Sequence, residues 1–281
     1  MSYELKIEFL ETGRLLFSER DDGYVHRKKV PFLIVAQACE GHYEITVGTR
    51  KERILSEGEA FVAPSNTPLS IRHRISPVTR RMKVRFVHLR ATAWNCTDLC
   101  DLIELPEKLS EKECRTAFRF FRKYEKSGKE SDSLLRETIG TAAAMNLLAF
   151  LLKHFGTHPQ NEEMQLRENR RRLRPALDAM ASAENSLRIP ELAKRCAMSR
   201  AAFYRLFAKT LNCSPAEYAL KEKIRKGVML FQRNPRRSVK ETAEECGFSN
   251  PFHFSRKFKE QTGLSPRAFL ETLLREQSSR R

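Results

Sequence analysis

The chain has 281 residues, of which 41% are hydrophobic and 31% charged, and its formal net charge at pH 7 is +17. This length allows two domains with a core each, and the composition excludes a disordered or fibrous protein. The longest apolar stretch (141–152) is too short to span a bilayer, and acidic residues near the N-terminus are unlike a signal peptide, so a cytoplasmic protein without membrane attachment is expected.

Short alternating segments fill the first ninety residues. Apolar and polar side chains alternate in four runs, which span 32–47, 60–64, 69–75 and 82–89. Turn residues interrupt, end or separate these runs, such as Gly41, Pro64 and Gly58. Several short strands at this spacing predict a small barrel or sandwich, which we place at residues 1–95.

Helical periodicity replaces this alternation at residues 96–158. Helices are predicted over 110–126, where Ser110 and Glu113 can form a capping box, and over 131–155. The second helix has a broad apolar face that comprises Leu134, Leu135, Ile139, Ala142, Met145, Leu148, Ala149 and Leu152. Two compatible interpretations stay open: the face packs on the β domain, or it forms the seam of a homodimer.

A polar stretch separates these helices from a strongly basic C-terminal part. Residues 156–172 are polar and contain Pro159, so a linker is predicted at 159–171. Residues 166–281 hold 26 Lys and Arg against 12 Asp and Glu, whereas residues 1–165 hold 26 against 23. A basic domain attracts polyanions, which indicates nucleic acid. A merely solvated basic surface and an anionic membrane surface are the alternatives.

An internal repeat organises the basic part. Residues 189–199 (IPELAKRCAMS) match residues 239–249 (VKETAEECGFS) at an offset of 50, which becomes 51 after the two serines. The aligned pairs are Ala193 with Ala243, Cys196 with Cys246, Phe203 with Phe254, Arg205 with Arg256, Phe207 with Phe258, and Ser214-Pro215 with Ser265-Pro266. One residue is therefore inserted in the turn of the second copy.

Each copy follows the plan of a helix-turn-helix. The predicted helices span 189–196 and 200–210 in the first copy and 239–246 and 250–261 in the second. Gly247 gives the tight turn a positive φ at little cost, whereas Ala197 would be strained in the same turn. Ser199 and Ser249 are expected to cap the second helices. Those helices direct aromatic residues inward and polar residues outward, as in DNA-binding helix-turn-helix units.

A long helix, predicted over 214–232, joins the two copies and sets their separation. If both second helices enter successive major grooves on one face of DNA, they should lie about 34 Å apart. The basic loop 233–238 follows, and its Arg236 and Arg237 are expected to contact phosphates.

The segment GFSNPFHFSRKFKEQTGLSPRAF (247–269) resembles the signature region of the AraC/XylS-type transcription regulators, and the resemblance extends over 172–275. It implies seven helices, a footprint of about 18 base pairs on double-stranded DNA, and control of transcription through RNA polymerase. Residues 54–72 resemble, more weakly, the family's cupin-like sensing domain. The implied fold is α+β: a cupin-like β-barrel with following helices, and a C-terminal all-α double helix-turn-helix domain.

The resemblance places the base contacts on the second helix of each copy. The residues carried over are Arg200, Ala201, Tyr204 and Arg205 in the first copy and Asn250, Pro251, His253 and Arg256 in the second. Arg suits guanine and Asn suits adenine, whereas Ala and Pro can only pack on thymine methyl groups. The resemblance implies that Arg256 matches a position that serves more as a DNA-backbone anchor than as a base reader.

The favoured hypothesis is a dimeric, sequence-specific regulator that responds to an unidentified small-molecule effector inside the barrel. A metal-dependent enzyme would need clustered ligands in residues 1–90, but 65–70 (SNTPLS) lacks the expected His and His42, His73 and His88 are isolated on strands. No metal, cofactor or catalytic residue is therefore predicted.

A DNA repair protein with a thiol acceptor is a third hypothesis. Its acceptor would be Cys96 or Cys100, and the thiol would need a lowered pKa in an electropositive setting.

Overall fold

The computed structural model describes residues 5–93, 97–127, 132–156, 163–181 and 188–278, without the side chains of 163–167 and 181. Cys96, one of the two candidate thiol acceptors, lies outside the described residues.

Two antiparallel sheets face each other in the N-terminal part. The strands are β1 (Lys6–Ser18), β2 (Val25–Lys28), β3 (Leu33–Glu40), β4 (His42–Val47), β5 (Arg53–Leu55), β6 (Ala60–Ala63), β7 (Leu69–Arg74), β8 (Arg81–Ala93), β9 (Thr97–Asp98) and β10 (Lys108–Leu109). One sheet has the order β1-β8-β3-β6-β10, with β9 paired to β8, and the other has the order β2-β7-β4-β5. The four predicted runs correspond to strands β3–β4, β6, β7 and β8.

The interior between the sheets is filled by large side chains. Phe17, Phe32, Tyr43, Phe61 and Met82 are at most 2% exposed there. The outer face of the first sheet is also buried, because helices cover it. Strand β3 is therefore apolar at almost every position rather than alternating, as is usual for a strand buried on both faces.

Three helices follow the strands: α1 (Glu111–Arg119), α2 (Arg122–Lys126) and α3 (Ser133–Phe155). The capping box is confirmed, because Glu113 N–H donates to Ser110 Oγ and Ser110 N–H donates to Glu113 Oε2. The helix predicted over 110–126 is interrupted at Phe120 and Phe121 and forms α1 and α2.

Helix α3 packs on the first sheet, as one of the two interpretations predicted. Its buried residues are Gly140, Ala143, Ala144, Leu147, Leu148, Phe150 and Leu151. The predicted apolar face is offset from this one: Leu148 is buried, but Leu134 and Leu135 are 73% and 45% exposed. Helix α3 is long and apolar enough to cross a membrane by length and composition alone, a test that core helices also pass.

The predicted linker is largely helical. Helix α4 (Glu163–Ala181) contains residues 163–171. Its exposed charges pair along the helix, as Arg171 does with Glu168 at 2.8 Å, while Leu173 and Leu177 are buried in the core of the first copy. Residues 163–171 therefore belong to an amphipathic helix that continues into the C-terminal core, whereas residues 159–162 of the predicted linker lie outside the described residues.

Helices α4 to α10 make seven within the described residues, the number that the resemblance implied. After α4 these are α5 (Ile189–Arg195), α6 (Arg200–Leu211), α7 (Pro215–Arg233), α8 (Val239–Glu245), α9 (Pro251–Thr262) and α10 (Pro266–Ser278). We call α5–α6 the first unit and α8–α9 the second unit. The first unit shares a core with α4, whereas the core of the second unit continues into the barrel interior.

Polar contacts join the second unit's side of the domain to the barrel. Lys28 Nζ donates to Glu276 Oε1 of α10 at 3.1 Å, and Gln232 Nε2 of α7 donates to Glu11 Oε2 at 2.6 Å. Lys29 N–H donates to the carbonyl of Thr262 at 3.1 Å. The barrel is thus in direct contact with helices α7, α9 and α10.

Candidate nucleic-acid interface

Both units contain the same turn, as the repeat predicts. The residue after the first helix has positive φ in each: +52° at Ala197 and +73° at Gly247. One residue later, the N–H of Met198 donates to the Ala193 carbonyl at 3.0 Å, and that of Phe248 donates to the Ala243 carbonyl at 2.9 Å. Ala197 therefore carries the expected strain, because its backbone is left-handed and a Cβ is disfavoured in that conformation.

Replacing Ala197 by glycine should raise the free energy of unfolding by about 1 kcal/mol, because glycine adopts this φ without the Cβ penalty. Thermal denaturation of the full chain measures the change. The matched control is Ala208→Gly, at an exposed position in the interior of α6, which should lower stability by about 1 kcal/mol. If both changes destabilise equally, Ala197 is not strained.

The second helices, α6 and α9, are capped by residues that correspond to each other once the insertion in the second copy is taken into account. Ser199 Oγ accepts the Ala202 N–H at 3.3 Å, as predicted. In the second unit the cap is Asn250, whose Oδ1 accepts the Phe252 N–H at 2.8 Å, so the prediction of Ser249 was wrong. The insertion precedes the cap, so the offset of 51 already applies at Asn250. The side-chain oxygen of this predicted base-contacting residue is thus used within the chain.

The candidate residues of the first unit lie along one side of α6. Arg200, Ala201 and Arg205 are exposed, and the Arg200 guanidinium lies 5.8 Å from the centre of the Tyr204 ring. Tyr204 is half-buried and packs edge-on against Phe203. Two arginines and a tyrosine hydroxyl can therefore reach a nucleic acid without disturbing the core.

The candidate residues of the second unit are less uniformly accessible. His253 is exposed, and its ring lies 5.5 Å from that of Phe248. The Arg256 side chain is 70% exposed and lies 4.0 Å from Glu260. Pro251 is half-buried at the first position of α9.

Phe252 was missed by sequence analysis although it is the most exposed aromatic residue of the second unit. It is 85% exposed, on the same helix as His253 and Arg256. Phe252 and Phe254 are two positions apart, about 200° around the helix, so their rings lie on nearly opposite faces of α9. The offset of 51 pairs Phe252 with Ala201, a candidate residue, and this pairing was the signal available in the sequence.

The two arginines of the loop 233–238 differ in how accessible they are to a phosphate. Arg236 is exposed, as a phosphate contact requires. Arg237 is half-buried and donates from its Nη2 to a carboxylate oxygen of Glu245. A phosphate would have to compete with that carboxylate for Arg237.

The two alternative classes of function receive no support from the described residues. Within those residues no three His, Cys, Asp or Glu side chains are grouped so as to hold a metal ion. His73 is not isolated, because its ring centre lies 5.3 Å from that of His26. Burial raises the pKa of the Cys100 thiol well above its usual range, which is opposite to the setting that a reactive thiol requires.

Comparisons with known proteins agree with the geometry. The family described as "Helix-turn-helix domain" matches residues 192–272. The Msm operon regulatory protein of Streptococcus mutans is 36% identical over 85 residues, and the match spans 30% of each chain. An uncharacterized HTH-type transcriptional regulator of Haemophilus influenzae is 24% identical over 289 residues, which cover 96% of this chain and 93% of the relative. These are names of regulators rather than of enzymes.

A solved structure shares the whole architecture. Fatty acid-bound ToxT from Vibrio cholerae superposes with a TM-score of 0.55 and 10% identity, over 93% of this chain and 94% of that one. At this identity the likeness concerns the fold, and it confirms the α+β architecture of an N-terminal β domain followed by helix-turn-helix helices.

Proposed function

We propose that this chain is an AraC-type transcription regulator that binds specific sequences of double-stranded DNA through the helix-turn-helix domain in its C-terminal region. The observation that carries the proposal is the duplicated unit, in which α6 and α9 each expose arginine on a helix held by a buried aromatic core. DNA contacts at both helices would give a footprint of about 18 base pairs, with the helices about 34 Å apart.

The proposed contacts divide into two kinds. Arg200 and Arg205 of α6 suit guanine, whereas Phe252 of α9 suits the methyl group of thymine. Arg236 contacts the phosphate backbone, which positions the protein without specifying sequence. Arg256 contacts a base or the backbone at the position equivalent to Arg205. The candidates Ala201, Tyr204, Asn250, Pro251, His253 and Arg237 complete the proposed interface.

Replacing Arg205 by alanine should weaken binding to the specific site by about 1–3 kcal/mol, or about 5- to 150-fold, because a bidentate contact to guanine is lost. Footprinting on the DNA upstream of the protein's own gene locates the site, and titration against that site and a scrambled duplex gives the two affinities.

The control for this experiment is Arg267→Ala. Arg267 is 90% exposed on α10, where it pairs with Glu271, so this variant removes the same charge away from α6. Equal losses for both variants, or equal loss on specific and scrambled DNA, would contradict a base contact by Arg205. Absence of any protected site would contradict the proposed function.

The proposal includes regulation by a small molecule, acting in the cytoplasm through RNA polymerase. The likeness to ToxT, which was solved with an unsaturated fatty acid bound, supports an effector site in or next to the β domain. The interior of the barrel holds a cavity of only about 30 Å³ in this conformation. An effector there would have to displace part of the protein.

A homodimer is also part of the proposal. Leu134 and Leu135 stay exposed at the start of α3, and an apolar surface of this kind suits a second copy of the chain. The matched regions span 30% or less of the first curated relatives, so assembly is inferred from this chain alone. Sedimentation equilibrium of the purified chain tests it, and a monomer at micromolar concentration would contradict it.

A further inference from the structure

The cavity in the barrel is closed by the DNA-binding domain. Its walls are largely apolar, but the imidazoles of His26, His73 and His88 also face it. At one end lie the ammonium group of Lys28, from the barrel, and the carboxylate of Glu276, from the last helix. A charged side chain from one domain thus completes the wall of a cavity in the other.

The carboxylate of Glu276 is buried in the barrel and paired with Lys28, as the carboxylate of a bound ligand would be. Its side chain is 9% exposed and that of Lys28 is 10% exposed, and their charged atoms are 3.1 Å apart. A buried ammonium group needs a partner, because an uncompensated buried charge is strongly destabilising. If α10 moved away, Lys28 would therefore require another anion.

His26 adds a second, independent feature. Its side chain is 6% exposed, and neither ring nitrogen has a hydrogen-bond partner in the described structure. The nearest carboxylate oxygen, of Glu276, is 3.9 Å from Nε2, which is too long for a hydrogen bond. Burial lowers the pKa of His26 well below its usual value, so the neutral ring offers one donor and one acceptor. Such unpaired buried groups are rare and call for a partner.

We propose that this end of the barrel binds a small organic carboxylate, which replaces Glu276 beside Lys28, hydrogen-bonds to His26 and releases α10 from the barrel. The inference rests on the proposed regulatory function and names the chemical class of its effector. The negative charge of the carboxylate group complements the positive charge of Lys28. The apolar walls, formed by residues such as Leu15, Ile34 and Phe86, suit a hydrocarbon tail.

Competition between effector and Glu276 follows from the size of the cavity. About 30 Å³ accommodates little more than one water molecule while Glu276 is in place. Effector and Glu276 therefore exclude each other. Helix α10 packs in the same core as α9 through Phe269, so its release reaches the second unit directly. Ligand binding and the position of the DNA-binding domain are coupled because one state holds Glu276 and the other holds the effector.

The test is calorimetric titration of the full chain with straight-chain carboxylates from acetate to octanoate, each paired with its neutral amide. The carboxylates should bind and the amides should not. Glu276→Gln should bind the best carboxylate at least tenfold more tightly than wild type, because the internal competitor has lost its charge. Glu271→Gln, the same change on the exposed face of α10, should leave the affinity unchanged. Lys28→Met should abolish binding.

The proposal is overturned if no carboxylate of the series binds Glu276→Gln, or if binding survives Lys28→Met. Should either variant fail to fold, hydrogen exchange on the wild type decides: saturating carboxylate must accelerate exchange in α10 and shift the His26 ring resonances, and unchanged exchange overturns the proposal. Footprinting is done without any carboxylate. A missing footprint therefore contradicts the proposed function, whereas a missing carboxylate effect contradicts only this site.

Discussion

Replacing Phe254 by alanine is expected to lower the free energy of unfolding by about 3–5 kcal/mol, the usual cost of emptying an aromatic site in a core. The Phe254 side chain is 0% exposed, and its ring centre lies 6.3 Å from that of Phe231, 5.3 Å from Phe248 and 5.5 Å from Phe258. A cavity at this point would remove the contacts that hold α9 on α7. Urea denaturation followed by circular dichroism measures the loss.

The same substitution two residues earlier provides the control. Phe252→Ala should change stability by less than about 0.5 kcal/mol, because the ring is 85% exposed and fills no cavity. It should nevertheless weaken binding to the specific DNA site if Phe252 packs on a thymine methyl group. Equal destabilisation by both variants would contradict the division of α9 into a buried and an exposed aromatic face.

Gly41→Ala is expected to destabilise the barrel by about 2–5 kcal/mol, the sum of a left-handed conformation and a steric overlap. Gly41 has φ of +79°, at the point where the chain passes from β3 in one sheet to β4 in the other. A Cβ there would lie 2.4 Å from the carbonyl oxygen of Arg74, an atom of the backbone that cannot rotate away. Thermal denaturation of the full chain measures the effect.

Gly263→Ala separates the two contributions. Gly263 also has positive φ, +82° at the end of α9, but nothing lies within 4 Å of the position its Cβ would take. This variant should therefore cost only about 1–2 kcal/mol, from the backbone conformation alone. If it were as damaging as Gly41→Ala, the overlap with Arg74 would contribute nothing.

The sequence was sufficient wherever a feature depends on local geometry. The tight turn at Gly247 requires positive φ, and its equivalent at Ala197 could be located by the repeat alone. The capping box at Ser110 involves residues three apart, so it too could be predicted. Strands with buried alternating residues were found for the same reason.

Features that depend on distant partners could not be predicted. Strand β1 lacks clean alternation because polar residues such as Glu8 and Glu11 contact the C-terminal domain, at Arg225 and Gln232. The start of α4 looked like a linker because its charged residues gave no indication of the core that Leu173 enters. The burial of Glu276 depends on a strand almost 250 residues earlier in the chain, and nothing in α10 itself indicates it.

The partition of the two hydrophobic cores has a consequence for cooperativity. The first unit, α5–α6, shares its core with α4, whereas the second unit, α8–α9, shares one continuous core with the barrel. Two copies of one motif thus pack in different hydrophobic cores. Local opening of the first unit leaves the barrel intact, while opening of the second unit exposes apolar surface in both domains. A signal that arises in the barrel therefore reaches the second unit through a continuous apolar core, whereas the first unit's side is joined to the barrel by polar contacts such as that of Arg170 Nη1 with Thr97 Oγ1.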